Sequence, residues 1–170
     1  MKKILTVTAL VLTVIILVSC GKTAAAQISR LEFGMTKEQV EEIIANETTG
    51  GSYIGIPSDI DENLNNFRFN FNDRSELFAV YLESDYGKLS DAEKLHKDLM
   101  KKIADMYGFS EEDWSEEEEN KYLHEYDADG CTVALYLCLW DEGDESFASL
   151  TIASFEHDEP GEHKNIPIVP

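Results

Sequence analysis

Basic residues are scarce in this chain of 170: 14 Lys and Arg stand against 34 Asp and Glu, a formal net charge of −20. A surface of that sign repels phosphate backbones, whose binding depends on Lys and Arg displacing counterions, and it repels anionic lipid headgroups as well. Nucleic acid is thereby excluded as a partner, and cations and basic proteins are what such a field attracts. Cysteine is equally sparse, with three in all, at Cys20, Cys131 and Cys138. The last two read as residues of one strand, where steps of roughly 3.3 Å set them more than about 20 Å apart on opposite faces. A disulfide spans only about 7 Å between Cα atoms, so they are not expected to pair and pack instead as small hydrophobes. No Gly-x-Ser-x-Gly elbow, glycine-rich phosphate loop or His-Glu-x-x-His helix occurs. Neither strand cysteine has a base beside it in sequence to make it a nucleophile. These absences predict a chain with no catalytic residues, no metal and no cofactor, and therefore not an enzyme.

Long apolar runs are missing too, except at the start. About fifteen apolar residues, Ile4 to Val18, follow Lys2 and Lys3 and end in Ser19-Cys20, the three parts of a secretory signal peptide. A bilayer-spanning helix needs roughly 20 such residues, so the run fits a signal better than an anchor. Leu17-Val18-Ser19-Cys20 resembles the lipobox of bacterial lipoproteins, Leu-x-[Ser/Ala/Gly]-Cys. That resemblance implies that residues 1–19 are a lipoprotein signal peptide, removed when Cys20 is lipidated with palmitate-type chains. The protein would then be held at the cell membrane, lipid-anchored on its extracytoplasmic face. Without the signal, 151 residues remain and 12 basic residues face 34 acidic ones, a net charge of −22. This is the size of one domain. Residues 20–30 are expected to be the lipidated N-terminus and a tether, 31–157 a single domain, and 158–170 an acidic, proline-containing tail.

Within the domain, Thr36 as N-cap and Gln39 three positions on form a capping box, and Val40, Ile43 and Ile44 supply the apolar face of the helix it opens. Gly50-Gly51 ends that segment, and residues 53–56 read as a short strand stopped by Pro57. Residues 66–72 alternate, with Phe67, Phe69 and Phe71 to one side. Residues 76–83 follow across the Asn72-Asp73-Arg74-Ser75 turn, which predicts an antiparallel hairpin. Ser90 and Glu93 repeat the capping box before the longest helix, with Ala92, Leu95, Leu99 and Ile103 inward, His96 and the lysines outward, and Gly108 as its stop. An acidic loop, 110–120, is pinned by Trp114. Residues 121–126, 131–140 and 146–155 are strands joined by Asp127-Ala128-Asp129-Gly130 and Asp141-Glu142-Gly143-Asp144 turns. The middle strand is apolar on both faces and is expected to be covered on both. The fold class is α+β, an antiparallel sheet packed by two main helices in the order α-β(2-3)-α-β-β-β. The repeated order suggests pseudo-duplication of one α-plus-hairpins unit.

Phe33-Gly34-Met35-Thr36-Lys37-Glu38-Gln39-Val40 resembles the Gly-Met-Thr-x-x-x-Val start of the SmpA/OmlA family of small outer-membrane lipoproteins and of β-lactamase-inhibitor-like domains. The long helix ending in Tyr107-Gly108 is similar to one in uncharacterised lipoproteins of Gram-positive bacteria. Such domains act through surfaces, so the resemblance implies a protein-interaction module with an extracytoplasmic protein partner, and it transfers no site residue. The sheet face or the acidic loop is the expected surface, with Trp114, Glu116, Glu117, Glu118 and Glu119 as possible interaction residues and Tyr53, Tyr81, Tyr86 and Tyr122 as further contacts. The alternative is a cation or small-ligand binding protein using the acidic turns. Asp127, Asp129 and Gly130 mimic the first half of a calcium loop, but Tyr136 stands where the closing Glu belongs. His157, Asp158, Glu159, Glu162 and His163 have ligand chemistry without a zinc spacing.

Overall fold

Alternating residues assemble into a seven-stranded antiparallel sheet in the order Ser52–Tyr53, Leu64–Phe71, Leu77–Ser84, Ser146–Glu156, Cys131–Asp141, Lys121–Ala128 and Ser115–Glu118, beside a two-stranded sheet of Glu32–Phe33 and Ile166–Pro167. The computed structural model describes residues 25–44, 52–156 and 166–170. The signal region, Cys20, the Gly50-Gly51 break and residues 157–163 lie outside the described residues. The elements are β1 (Glu32–Phe33), α1 (Lys37–Ile44), β2 (Ser52–Tyr53), β3 (Leu64–Phe71), β4 (Leu77–Ser84) and α2 (Leu89–Tyr107). They continue with β5 (Ser115–Glu118), β6 (Lys121–Ala128), β7 (Cys131–Asp141), β8 (Ser146–Glu156) and β9 (Ile166–Pro167). The α+β class holds and the predicted order is roughly matched, with β1 ahead of α1 and with β5 and β9 added to the three strands expected after α2. Each half runs helix then strands, and the last strands of the two halves, β4 and β8, meet antiparallel at the middle of the sheet. The second half adds an edge strand and a helix of 19 residues where the first has 8.

The core lies between one sheet face and the helices. Phe67, Val80, Leu82, Leu135, Leu137, Leu150 and Ile152 from the sheet join Val40 and Ile44 of α1 and Leu99 and Ile103 of α2 in one cluster. The capping box of α1 forms as predicted: the Thr36 N–H donates to Gln39 Oε1 at 2.8 Å, and the Gln39 N–H to Thr36 Oγ1 at 3.4 Å. The predicted Ser90 box does not form. Backbone bonds between Gly87 and Ser146 hold the chain extended up to Lys88, which becomes the N-cap without a side-chain bond, so Ser90 falls inside the helix. Gly108 ends α2 at φ 76°, the left-handed geometry glycine supplies at little cost.

Both domain boundaries move outward. Ala26 and Ile28 are buried, and the Ala26 N–H donates to the Pro57 carbonyl at 2.8 Å, so packed structure begins inside the segment read as a tether. At the other end, Ile166 and Ile168 are buried. β9 pairs with β1, the Ile168 N–H donates to the Leu31 carbonyl at 3.0 Å, and the Tyr107 hydroxyl donates to the Ile168 carbonyl. Pro167, which read as tail punctuation, separates the core residues Ile166 and Ile168.

Candidate functional site

Period-two alternation leaves the second sheet face without a helix over it, among the described residues. Because Phe67 and Phe69 point into the core, Arg68 between them points away, and register continues its row through Tyr81, Thr151 and Tyr136. The next row runs Glu83, Ser149, Cys138 and Lys121. β7 is therefore central but not covered on both sides as expected: Tyr136 and Cys138 stay half-buried, and Trp140 is 37% exposed.

Aromatic contacts organise this face. Trp140 lies parallel to Phe147 at 6.0 Å between centroids, Tyr86 meets Phe147 at 4.8 Å, and the Trp140 indole N–H donates to Ser149 Oγ at 2.9 Å. Two cations lie over rings: Arg68 over Tyr81 at 4.6 Å and Lys121 over Trp140 at 5.2 Å. Ile54, 81% exposed, and Tyr86, 55% exposed, stand at the β2 end. Two hollows adjoin here, of about 370 and 290 Å³, both lined by Arg68, Tyr81 and Glu83. Lys121 ion-pairs with Glu118 at 2.5 Å, and that contact raises its pKa. Burial pushes the Cys138 thiol up, with Lys121 opposing, which keeps it protonated and a poor nucleophile.

The residues singled out from sequence are distributed differently. Residues 115–118 are an edge strand rather than a loop, with all four side chains exposed. Carboxylates on an edge strand repel a further strand and guard against sheet-to-sheet aggregation. Trp114 is buried, its indole N–H donating to the Met100 carbonyl at 3.1 Å and its ring meeting Phe109 edge-on at 5.2 Å, so it cannot touch a partner. Tyr53, expected as an exposed contact, is buried and stacked on Phe67 at 4.7 Å. Tyr81 and Tyr122 are partly covered, and Tyr86 is the exposed member of that group. Asp129 and Gly130, at φ 47° and 86°, make the two-residue turn between β6 and β7. Asp141 accepts from the Gly143 N–H at 3.2 Å and Ser146 Oγ at 3.1 Å, which commits it to its own turn. Among the described residues no group of three or more His, Cys, Asp and Glu could hold a metal ion. Sequence reasoning named Tyr86 but missed Ile54 and the Phe147 and Trp140 rings packed beside Tyr86. For Trp140 and Phe147 the available signal was an aromatic on the outward-facing side of β7 and of β8.

His96 is also displaced from its expected outward position. Its spacing from Ala92, Leu99 and Ile103 sets it on the apolar stripe, where it is buried 5.5 Å from the Tyr122 ring and Nε2 has no hydrogen-bond partner. Burial lowers its pKa, the hydrogen bond to the Leu137 backbone opposing. A base whose folded pKa lies below its unfolded value, near 6.5, contributes stability above that value. The contribution is lost as pH falls from about 6.5 toward the folded pKa. His96→Leu should flatten this limb: urea midpoints at pH 7 and pH 5 should differ less than in the unaltered chain. An equal difference in both would remove His96 as the cause.

No family model, curated protein or solved structure matches this chain.

Proposed function

We propose that this protein is a membrane-anchored extracytoplasmic lipoprotein, acylated at Cys20, whose open sheet face binds another extracytoplasmic protein. It acts as a binding module and not as a catalyst. The observation that carries the reading is the aromatic face itself: Trp140, Tyr86 and Ile54 remain accessible on a sheet whose other side already satisfies the core. Aromatic residues of this kind are enriched where proteins meet. The strong acidity disfavours nucleic acid and anionic lipid as occupants and leaves protein. No helix of the described residues is long and apolar enough to cross a membrane. The six steps from Cys20 to buried Ala26 reach at most about 20 Å, so lipidation would keep the domain, and its partner, against the membrane surface.

Two variants test this. Cys20→Ser in the full chain should move the protein from the membrane fraction to the soluble one with its melting temperature unchanged. A photocrosslinking amino acid at Thr151, on the open face, should give a discrete protein adduct in intact cells, whereas the same group at exposed Lys97 on α2 should not. Retention of the serine variant in membranes would remove the lipid anchor, and equal labelling from both positions would remove the open face.

A further inference from the structure

The two hollows on the open face differ in chemistry from a stacking platform. Sugars and bases need free ring faces, yet Arg68 covers Tyr81, and Lys121 and Phe147 flank Trp140. What the hollows leave free is charge. Glu83, Asp85 and Glu142 line them against the single guanidinium of Arg68, which is occupied by Tyr81. Asp85 accepts from Asn65 Nδ2 at 2.7 Å and Asn66 Nδ2 at 3.1 Å, which fixes it in place without neutralising it. Along its own row Glu83 faces Ser149 and then Cys138, and the cation beyond them, Lys121, is already bound to Glu118. Among the described residues Glu83 and Glu142 have no ion pair.

Apolar surface lies at the β2 end of the same channel, where Ile54 and Tyr86 stand exposed. From β2 to β7 the channel crosses four strand spacings of roughly 4.8 Å, about 19 Å, the length of some six residues of extended chain. We propose that this groove takes an extended segment of a basic protein, seating an apolar side chain between Ile54 and Tyr86 and a lysine or arginine against Glu83 and Glu142. The inference rests on the protein-binding reading of the open face and adds the chemistry of the bound segment. A second copy of the chain is the wrong occupant, since its net charge of −20 opposes self-association.

The test pans a displayed library of random hexapeptides on the full chain in detergent, then measures a synthetic peptide of the enriched sequence by fluorescence polarisation. Enrichment of Lys or Arg beside Leu, Ile or an aromatic is expected. Binding should weaken about tenfold in Glu83→Gln/Glu142→Gln and in Ile54→Ser, but not in Glu116→Gln/Glu117→Gln on β5. Neutral or acidic enriched peptides, no enrichment, or an equal loss from the β5 pair would overturn the proposal. Were the Thr151 adduct still to form in cells, the protein-binding reading would stand and only this segment chemistry would fall. Loss of both would end both.

Discussion

Stopping the chain before Ile166 should cost the domain about 2–4 kcal/mol and lower its urea midpoint, although only five residues are lost. Ile166 and Ile168 are both buried, and fully burying such a side chain contributes about 1.5–3 kcal/mol, so the pair supplies roughly 3–6 kcal/mol. Part of that is offset by the entropy of ordering the segment, which the shortened chain no longer spends. What remains behind is the uncovered partner surface, Phe33 opposite Ile166 and Leu31 beside Ile168. Against a typical stability of about 5–15 kcal/mol the loss is large. Ile168→Ala alone separates packing from chain length and should cost about 2–4 kcal/mol. Unchanged midpoints for both variants would show residues 166–170 to be the tail their prolines suggest.

That misjudged boundary shows what kind of information local sequence carries. The hairpins were legible because alternation and turn chemistry are local: Phe67 and Phe69 fall inward and Asp129-Gly130 turns, with no knowledge of the rest of the chain. The ends were not, because Ala26, Ile28, Ile166 and Ile168 are buried by contacts with distant segments, Ala26 with Pro57 and Ile168 with Leu31. His96 failed for a different reason. Residue type argued for the surface while position argued for the stripe shared with Ala92, Leu99 and Ile103, and position prevailed. The Ser90 box was a sound local signal overridden by the Gly87–Ser146 bridge.

The candidate site was legible only in outline. Acidic density drew attention to residues 116–119, yet their strand lies at the sheet edge, where charge prevents pairing. The open face draws on β3, β4, β7 and β8 and on the segment after β2, so no local stretch of sequence contains it. Sheet register brings Glu83 opposite Ser149 and Trp140 opposite Phe147. Sequence alone could count the aromatics but could not place Trp114 inside and Trp140 outside.

The two tryptophans yield the second large expectation. Trp114→Ala should cost about 3–5 kcal/mol, the range for removing a large aromatic from a packed site, because its ring fills space against Phe109 below the end of α2. The Glu111–Asp113 turn, held by the Ser110 cap, aims Trp114 inward, so the indole N–H meets the Met100 carbonyl on α2. Trp114→Phe keeps most of the packing and gives up the indole hydrogen bond to that carbonyl, a loss of about 1 kcal/mol. Trp140→Ala, on the open face, should leave the urea midpoint within about 1 kcal/mol and instead abolish the Thr151 photoadduct. Urea titrations of the three variants, followed by circular dichroism so that removing a tryptophan does not remove the signal, check the order. A Trp114→Ala midpoint equal to that of the unaltered chain would place Trp114 outside the core and restore it as a contact for the partner.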